Sequence, residues 1–162
     1  MKKMLPVLAV LFLLGISSVY ASDAATDVKS TSWGMNKEQV KRTLRKKPTT
    51  EEESFLIYRY AVFNTDCFVF YNFEQPQERL DELSYVFKPK SKGEADRVYS
   101  AMSAYLVKEY RLSENRGATN YLSSTVLKYE SDVTSVTLTN TYRTNETVTV
   151  VYTDINKIKK SR

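Results

Sequence analysis

The first helix of the chain is predicted by the residues around Asn36. Asn36 is a favourable N-cap, and Gln39 three residues later completes a capping box, in which each side chain bonds the backbone N–H of the other. Met35 and Val40 flank this start at the spacing of a hydrophobic staple. The pattern predicts a short helix over residues 37–46, with Val40 on its buried face.

Two further residues bear on this helix. Pro48 cannot continue a helix, so the helix is expected to end before it. Trp33, the only tryptophan in the chain, lies just ahead of the helix start. Its large ring is expected to pack between the helix and the surface that the helix covers.

A longer helix is predicted over residues 93–110, where apolar side chains recur at helical spacing. Ser91 and Glu94 give a second capping-box pattern at its start. An apolar stripe of this kind is typical of core packing, and we prefer that interpretation to a tyrosine-rich ligand site. The stripe contains Ala95, Val98, Tyr99, Met102, Tyr105, Leu106 and Tyr110.

Each helix is followed by three segments rich in aromatic and β-branched residues, with turn residues between them. Strands joined by tight turns are antiparallel. The chain is therefore predicted to be α+β, with two successive α-β-β-β units whose helices pack on an antiparallel sheet, and both a single sheet and a pair of sheets are compatible with the pattern. The six predicted strands cover residues 55–63, 67–73, 80–87, 122–129, 133–142 and 147–152.

Alternation along these strands predicts which side chains share a face. In the strand over residues 133–142, apolar residues alternate with threonines, so one face of that part of the sheet is expected to be wet. Tyrosine is enriched at protein interfaces, so the many tyrosines of the predicted strands favour a protein partner, and the pattern leaves open which of them are exposed. In the strand over residues 67–73, one face carries Phe68, Phe70 and Asn72, and the other carries Cys67, Val69, Tyr71 and Phe73.

The first 21 residues have the composition of a secretory signal peptide. Lys2 and Lys3 form a basic start, residues 4–16 are mostly apolar, and small residues lead to Ala21. The apolar run is shorter than the about 20 residues of a membrane-spanning helix, which favours cleavage after Ala21 over a membrane anchor. No cysteine follows the run, so no lipid attachment is expected there. The protein is predicted to be periplasmic or secreted.

The rest of the chain is predicted to form one α+β domain over residues 32–155, with sub-units over residues 32–88 and 91–155. Residues 22–31 are small and polar, and we expect them to form a flexible lead-in. Residues 156–162 are expected to form a basic tail.

The charge of the chain is mildly basic. Removing Lys2 and Lys3 from the 24 basic residues leaves 22 against 19 acidic ones, a net charge of about +3. Proteins that bind nucleic acid usually carry a clustered basic face. Because the net positive charge is small and the protein is predicted to be exported, no nucleic-acid partner is expected.

The densest basic cluster lies on and just after the first helix. A solvated helix face accounts for most such runs, and cations near a helix C-terminus also complement its dipole. Binding of an anionic ligand is the alternative interpretation. The cluster consists of Lys41, Arg42, Arg45, Lys46 and Lys47.

Residue types that usually carry catalysis are scarce. The chain has no histidine, which removes the usual general base, the catalytic triads and most catalytic zinc sites. Cys67, the only cysteine, is expected to be a small buried residue of a strand. The acidic runs at residues 51–53 and 81–82 could supply paired carboxylates, but solvated surface is the better interpretation. We predict no enzyme, no catalytic residue, no cofactor and no metal site.

The run from Gly34 to Val40, G-M-N-K-E-Q-V, with Leu44 and Pro48 after it, resembles the G-M-x-K-E-Q-V-x-x-x-L-G-x-P signature of the small outer-membrane assembly lipoproteins, the BamE or SmpA/OmlA group. Their wider superfamily resembles the β-lactamase inhibitor proteins. The resemblance covers about residues 33–87, and Arg45 stands where the signature has glycine. The resemblance implies a fold in which helices pack on an antiparallel sheet, a module that occurs in tandem, and a function in binding other proteins.

Two hypotheses of function follow. The first is an exported, non-catalytic periplasmic module that binds another envelope protein through its exposed sheet face. The second is an envelope-surface protein that binds anionic lipid or wall polymer through the basic cluster and the tail over residues 156–162.

Overall fold

The computed structural model describes residues 30–110, 119–121, 124–130, 134–141 and 146–155. The predictions for the signal peptide, for most of the lead-in and for the basic tail lie outside these residues, and so does most of the stretch between the second predicted helix and the strand predicted after it. The described elements are α1 (Lys37–Leu44), β1 (Thr50–Glu51), β2 (Phe55–Val62), β3 (Thr65–Glu74), β4 (Arg79–Phe87), α2 (Lys92–Tyr110), β5 (Thr119–Tyr121), β6 (Ser124–Glu130), β7 (Thr134–Asn140) and β8 (Val148–Asp154).

The described strands form one antiparallel sheet in the order β1-β2-β3-β4-β8-β7-β6-β5. The prediction of an α+β fold with an antiparallel sheet is confirmed, and the structure has a single sheet rather than a pair. The last strand that follows each helix pairs with the other at the centre, so β4 and β8 join the two parts of the sheet.

A single hydrophobic core lies between the two helices and one face of the sheet. One cross-strand row on that face shows its depth, because each side chain in it is at most 2% exposed: Tyr58, Val69, Tyr85, Val150 and Leu138. The helices contribute Val40, Ala95, Val98, Met102 and Leu106. From Ala95 to Leu106 the predicted helical stripe is therefore core packing, whereas the side chain of Tyr110 lies outside the described part of the chain. Burial of the core side chains is the main stabilising term of the fold.

The start of α1 has the predicted capping box. Asn36 Oδ1 accepts from the N–H of Gln39 and Gln39 Oε1 accepts from the N–H of Asn36, both at 2.9 Å. The predicted end at residue 46 is wrong, because the helix ends at Leu44 and Arg45 takes a left-handed conformation with φ 51°. The N–H of Arg45 bonds Lys41 O at 3.1 Å, so this turn, rather than Pro48, ends the helix.

The start of α2 differs from a closed capping box. The N–H of Glu94 donates to Ser91 Oγ at 3.2 Å, as expected for an N-cap. The Glu94 carboxylate, however, accepts from the N–H of Lys90 at 2.7 Å and from Thr65 Oγ1 at 2.6 Å. Glu94 therefore also connects α2 to the first residue of β3.

The turns and edges of the sheet contain the other departures from prediction. Residues Phe63 and Asn64 form the β2–β3 turn with φ 53° and 58°, so the turn begins one residue earlier than predicted and β3 begins at Thr65. Positive φ at both positions is typical of a two-residue hairpin turn. The short strands β1 and β5 lie outside the six predicted strands, because two or three residues give no alternation to detect.

Candidate functional site

The face of the sheet opposite the two helices is not covered by either of them. Its part on β2, β3 and β4 is apolar. Phe68 lies opposite Val86, and Phe70 lies opposite Ile57 and at 6.4 Å, between ring centroids, from Phe55. All five side chains are half-buried, and none of them belongs to the core cluster or packs against it. We call Phe55, Ile57, Phe68, Phe70 and Val86 the apolar patch.

The same face becomes polar on β7 and β8. The cross-strand row through Phe70 continues over Ser84 and Val151 to Thr137. The row through Phe68 and Val86 passes through Thr149 and Thr139. Thr137 and Thr139 are half-buried, whereas Val136 and Leu138 between them face the core. The predicted alternation of apolar and wet positions in this strand is confirmed, and so is the shared face of Phe68 and Phe70.

Charged residues border the apolar patch at two ends. Arg59 Nη2 lies 3.1 Å from Asp66 Oδ2, and the guanidinium of Arg59 lies 5.9 Å from the Phe68 ring centroid. At the other end, Glu82 accepts from Asn72 Nδ2 at 3.0 Å. The patch therefore has an apolar centre with a polar rim, which is the composition of many protein interfaces.

The tyrosines of β2, β3, β4 and β8 do not lie on the open face of the sheet. Tyr58, Tyr71, Tyr85 and Tyr152 lie on the core face and are at most 2% exposed, and Tyr60 on the same face is half-buried. Tyr58 and Tyr71 pack edge to face at 5.5 Å. Burial raises the pKa of Tyr85 well above its ordinary value. Tyr71 shares its parity with Cys67 and Val69, so alternation with a buried cysteine was the signal that could have placed it in the core.

Four of the five predicted basic residues line one open concavity of about 630 Å³ beside the end of α1. Arg42 is exposed and is not part of it. The predicted tail residues lie outside the described part of the chain. The concavity is lined by Lys41, Arg45, Lys46, Lys47, Pro48, Thr49 and Glu51.

The four cations in this concavity differ in their partners. Lys41 Nζ lies 2.6 Å from Glu38 Oε1 and 2.8 Å from Glu51 Oε1, so its charge is already compensated. The hydrogen bond to Glu38 and then that to Glu51 raise the pKa of Lys41, and the same bond from Lys41 lowers the pKa of Glu38. Lys46 Nζ lies 3.8 Å from the centroid of the Tyr60 ring. No ion pair within the described residues engages Arg45, Lys46 or Lys47.

Trp33 has a structural role that spans both parts of the sheet. Its Nε1 donates to Thr134 Oγ1 at 2.9 Å, at the start of β7. Gly34, at φ 85°, donates its N–H to Leu80 O at 2.9 Å, and Leu80 returns its N–H to Met35 O at 2.8 Å. Trp33 thus packs against the core as predicted, but its hydrogen bond reaches a strand that is distant in sequence. The conspicuous motif around Gly34 accordingly serves packing.

The remaining candidate chemistry is limited. Cys67 is fully buried, and burial raises the pKa of its thiol far above the ordinary value. Among the residues that the structure describes, no three acidic or cysteine side chains come together in a way that could hold a metal ion. None of the described helices has the length and apolar character needed to cross a membrane.

Comparison of the chain with protein-family models, with curated proteins and with solved structures finds no match. The interpretation of the molecule therefore depends on its own residues.

Proposed function

We propose that this chain is an exported, non-catalytic module that binds another envelope protein through the apolar patch of its sheet. The observation that carries the proposal is the apolar patch itself, since it lies on the sheet face opposite both described helices. Five neighbouring apolar side chains on a rigid sheet, with charged residues at the rim, favour a protein partner with a matching apolar surface.

The proposed location of the mature protein is the periplasm or the medium, after cleavage of the signal peptide following Ala21. Its support is the order of a basic start, an apolar run over residues 4–16 and small residues before the cleavage point. The absence of histidine from the sequence and the fully buried Cys67 support the non-catalytic part of the proposal.

The finer fold description belongs to the same proposal. We propose that the domain consists of two successive α-β-β-β units, each with an additional short strand, related to the BamE-like module of outer-membrane assembly lipoproteins. Support comes from the element order, in which each helix precedes a run of strands, and from the pairing of the last strands of both runs, β4 and β8. The helix-start motif beginning at Gly34 adds the sequence resemblance.

Site-specific photo-crosslinking in the cell envelope tests this function. A photoreactive phenylalanine analogue at position 68 is expected to give a discrete cross-linked protein. The matched control carries the analogue at Val107, which is 47% exposed. Val107 belongs to α2, which packs on the face of the sheet opposite the patch. Equal cross-linking from both positions, or none from position 68, would contradict the proposal.

A second candidate function rests on the basic concavity. Arg45, Lys46 and Lys47 have no described ion-pair partner, so their charges are available to anionic lipid or wall polymer. Flotation with vesicles of anionic and of zwitterionic lipid, at low and high salt, tests this candidate. We expect the protein to be retained on anionic vesicles only, and we expect salt and Lys47→Glu to reduce this retention. Retention that does not change with salt would contradict this second candidate function.

A further inference from the structure

The outer edge of β2 is only partly paired with another strand. In a strand, successive residues direct their N–H and C=O groups to opposite sides. Ile57 O accepts from the N–H of Thr49 at 2.7 Å and Phe55 O from that of Glu52 at 2.9 Å, so the odd-numbered residues of β2 point to the outer edge. The next residues of this set are Arg59 and Ala61.

No described strand pairs with β2 beyond Ile57 on this side. The short strand β1 pairs only with Leu56 and Ile57. Arg59 and Ala61 are both exposed. The segment from Arg59 to Ala61 therefore presents backbone donors and acceptors in the arrangement that a further strand would use.

This open edge lies directly beside the basic concavity. Lys46 Nζ reaches over the Tyr60 ring to Arg59 O at 3.3 Å, a long contact that covers one acceptor of the edge. Arg45 and Lys47 line the concavity next to Lys46. The charged residues that line the concavity, together with Arg59 and the ion-pair partners of this group, comprise five cations and three carboxylates. The cations are Lys41, Arg45, Lys46, Lys47 and Arg59, and the carboxylates are Glu38, Glu51 and Asp66.

We propose that the β2 edge at Arg59–Ala61 binds an extended acidic segment of a partner protein by β-strand addition, with Arg45, Lys46 and Lys47 contacting its carboxylates. The backbone groups of the edge supply the hydrogen bonds, and the cations select the charge of the segment. A lysine that covers an open edge also limits pairing with unrelated strands. An acidic segment displaces the weak contact of Lys46 and gives its ammonium group a carboxylate instead.

The excess of positive charge also excludes a second copy of this chain as the natural occupant. Pairing two copies through this edge would bring the same cations together, which is unfavourable. The edge uses the backbone groups of Arg59–Ala61 rather than the side chains of the apolar patch, so this proposal does not depend on the proposed function above.

Fluorescence anisotropy with a labelled decapeptide of alternating glutamate and valine tests the inference. At low salt the protein is expected to bind this peptide at least tenfold more tightly than the matching lysine and valine peptide. A third peptide keeps the glutamates but has all internal amides N-methylated, which removes its backbone donors. It is expected to lose at least tenfold in affinity, and full binding by the methylated peptide would overturn strand addition.

Variants of the protein locate the site. Lys47→Glu is expected to weaken binding of the acidic peptide severalfold, while Arg42→Glu makes the same charge change outside the concavity and should have little effect. Equal effects would overturn the assigned site. Ala61→Pro removes one outward donor of an edge strand, where proline is tolerated, and should weaken binding without loss of the far-UV circular dichroism signal. If that variant does not fold, binding of the methylated peptide to the unaltered protein still tests strand addition.

Phe70→Thr distinguishes the two proposals. It alters the apolar patch and leaves the β2 edge intact, so it should leave peptide binding unchanged. Loss of peptide binding in this variant would place the acidic segment on the sheet face and overturn the edge assignment.

Discussion

The two parts of the sheet are alike on the core face and different on the open face. Towards the helices, β3 and β7 both present fully or almost fully buried apolar side chains such as Val69 and Leu138. Towards the open side, β3 presents Phe68 and Phe70, whereas β7 presents Thr137 and Thr139. Folding requires the core face to be apolar in both parts. It does not require phenylalanine on the open face of β3, so the proposed function is assigned to that surface.

The largest difference in the free energy of unfolding is expected between substitutions at two neighbouring residues of β7 that face opposite sides of the sheet. Leu138→Ala removes a fully buried side chain and should lower the free energy of unfolding by about 2–5 kcal/mol. Thr137→Ala should change it by no more than about 0.5 kcal/mol. Urea denaturation of both variants measures the difference. Equal losses would mean that the open face of β7 is covered.

The contrast between the open faces of β3 and β7 is tested by replacing a phenylalanine of β3 with threonine, the residue that β7 has on this face. Phe70→Thr retains β propensity but removes the contacts of the ring with Phe55 and Ile57. The free energy of unfolding should fall by about 1 kcal/mol, since cross-strand pairs contribute at that level. The cross-linked partner at position 68 should be lost at the same time. A stable variant that keeps the partner would show that the apolar patch does not bind it.

The two parts are also joined by a hydrogen bond that can be measured. Trp33→Phe retains most of the aromatic bulk and removes the donor to Thr134 Oγ1. Combined with Thr134→Val in a double-mutant cycle, it should give a coupling energy of about 0.5–1.5 kcal/mol. Urea denaturation of the four proteins provides the values. Additive effects would show that this hydrogen bond does not couple the start of the domain to β7.

The smallest expected effect concerns pH and Glu94. The hydrogen bond from Thr65, followed by that from the N–H of Lys90, lowers the pKa of Glu94 in the folded protein. Its carboxylate therefore stabilises the fold above the pKa of the unfolded chain, and this contribution disappears as the pH falls through the lower folded value. Glu94→Gln should lower Tm by about 1–3 °C at pH 7 and by less in acid.

Thermal unfolding of both proteins between pH 7 and pH 3 measures this dependence. Glu74→Gln, at an exposed position at the end of β3, is the matched control and should change Tm little across the range. A difference between Glu94→Gln and the unaltered protein that grows in acid would contradict the assigned cause.

The elements of the fold were predictable where their signals are local. The capping box of Asn36 and Gln39 involves four consecutive residues, and the alternation around Phe68 needs only its own strand. The pairing of β4 with β8 was not predictable, because it joins residues about 65 positions apart, as in the neighbours Tyr85 and Val150. The end of α1 at Leu44 was missed because arginine is rarely left-handed.

The candidate sites divide in the same way. Phe68 and Phe70 could be assigned to one face from alternation, and Arg45, Lys46 and Lys47 could be found as a cluster from spacing alone. The open edge at Ala61 could not be found, because its exposure depends on how far β1 extends along β2. The tyrosines could be placed only by parity, as Tyr71 is by sharing a face with Cys67 and Val69, because enrichment at interfaces does not say which face a tyrosine occupies. Tyrosine serves either environment, since its ring is apolar and its hydroxyl polar.

The central position of β8 has a consequence for how the protein acquires its structure. Strand β4 finds its second neighbour only in Val148–Asp154, which follows every other described strand in the chain. During synthesis, β4 and β7 therefore each present an unpaired, aggregation-prone edge until the last strand has been made. A nascent chain can form the hairpins of its first part, but the sheet is completed only after Val148–Asp154 has been synthesised.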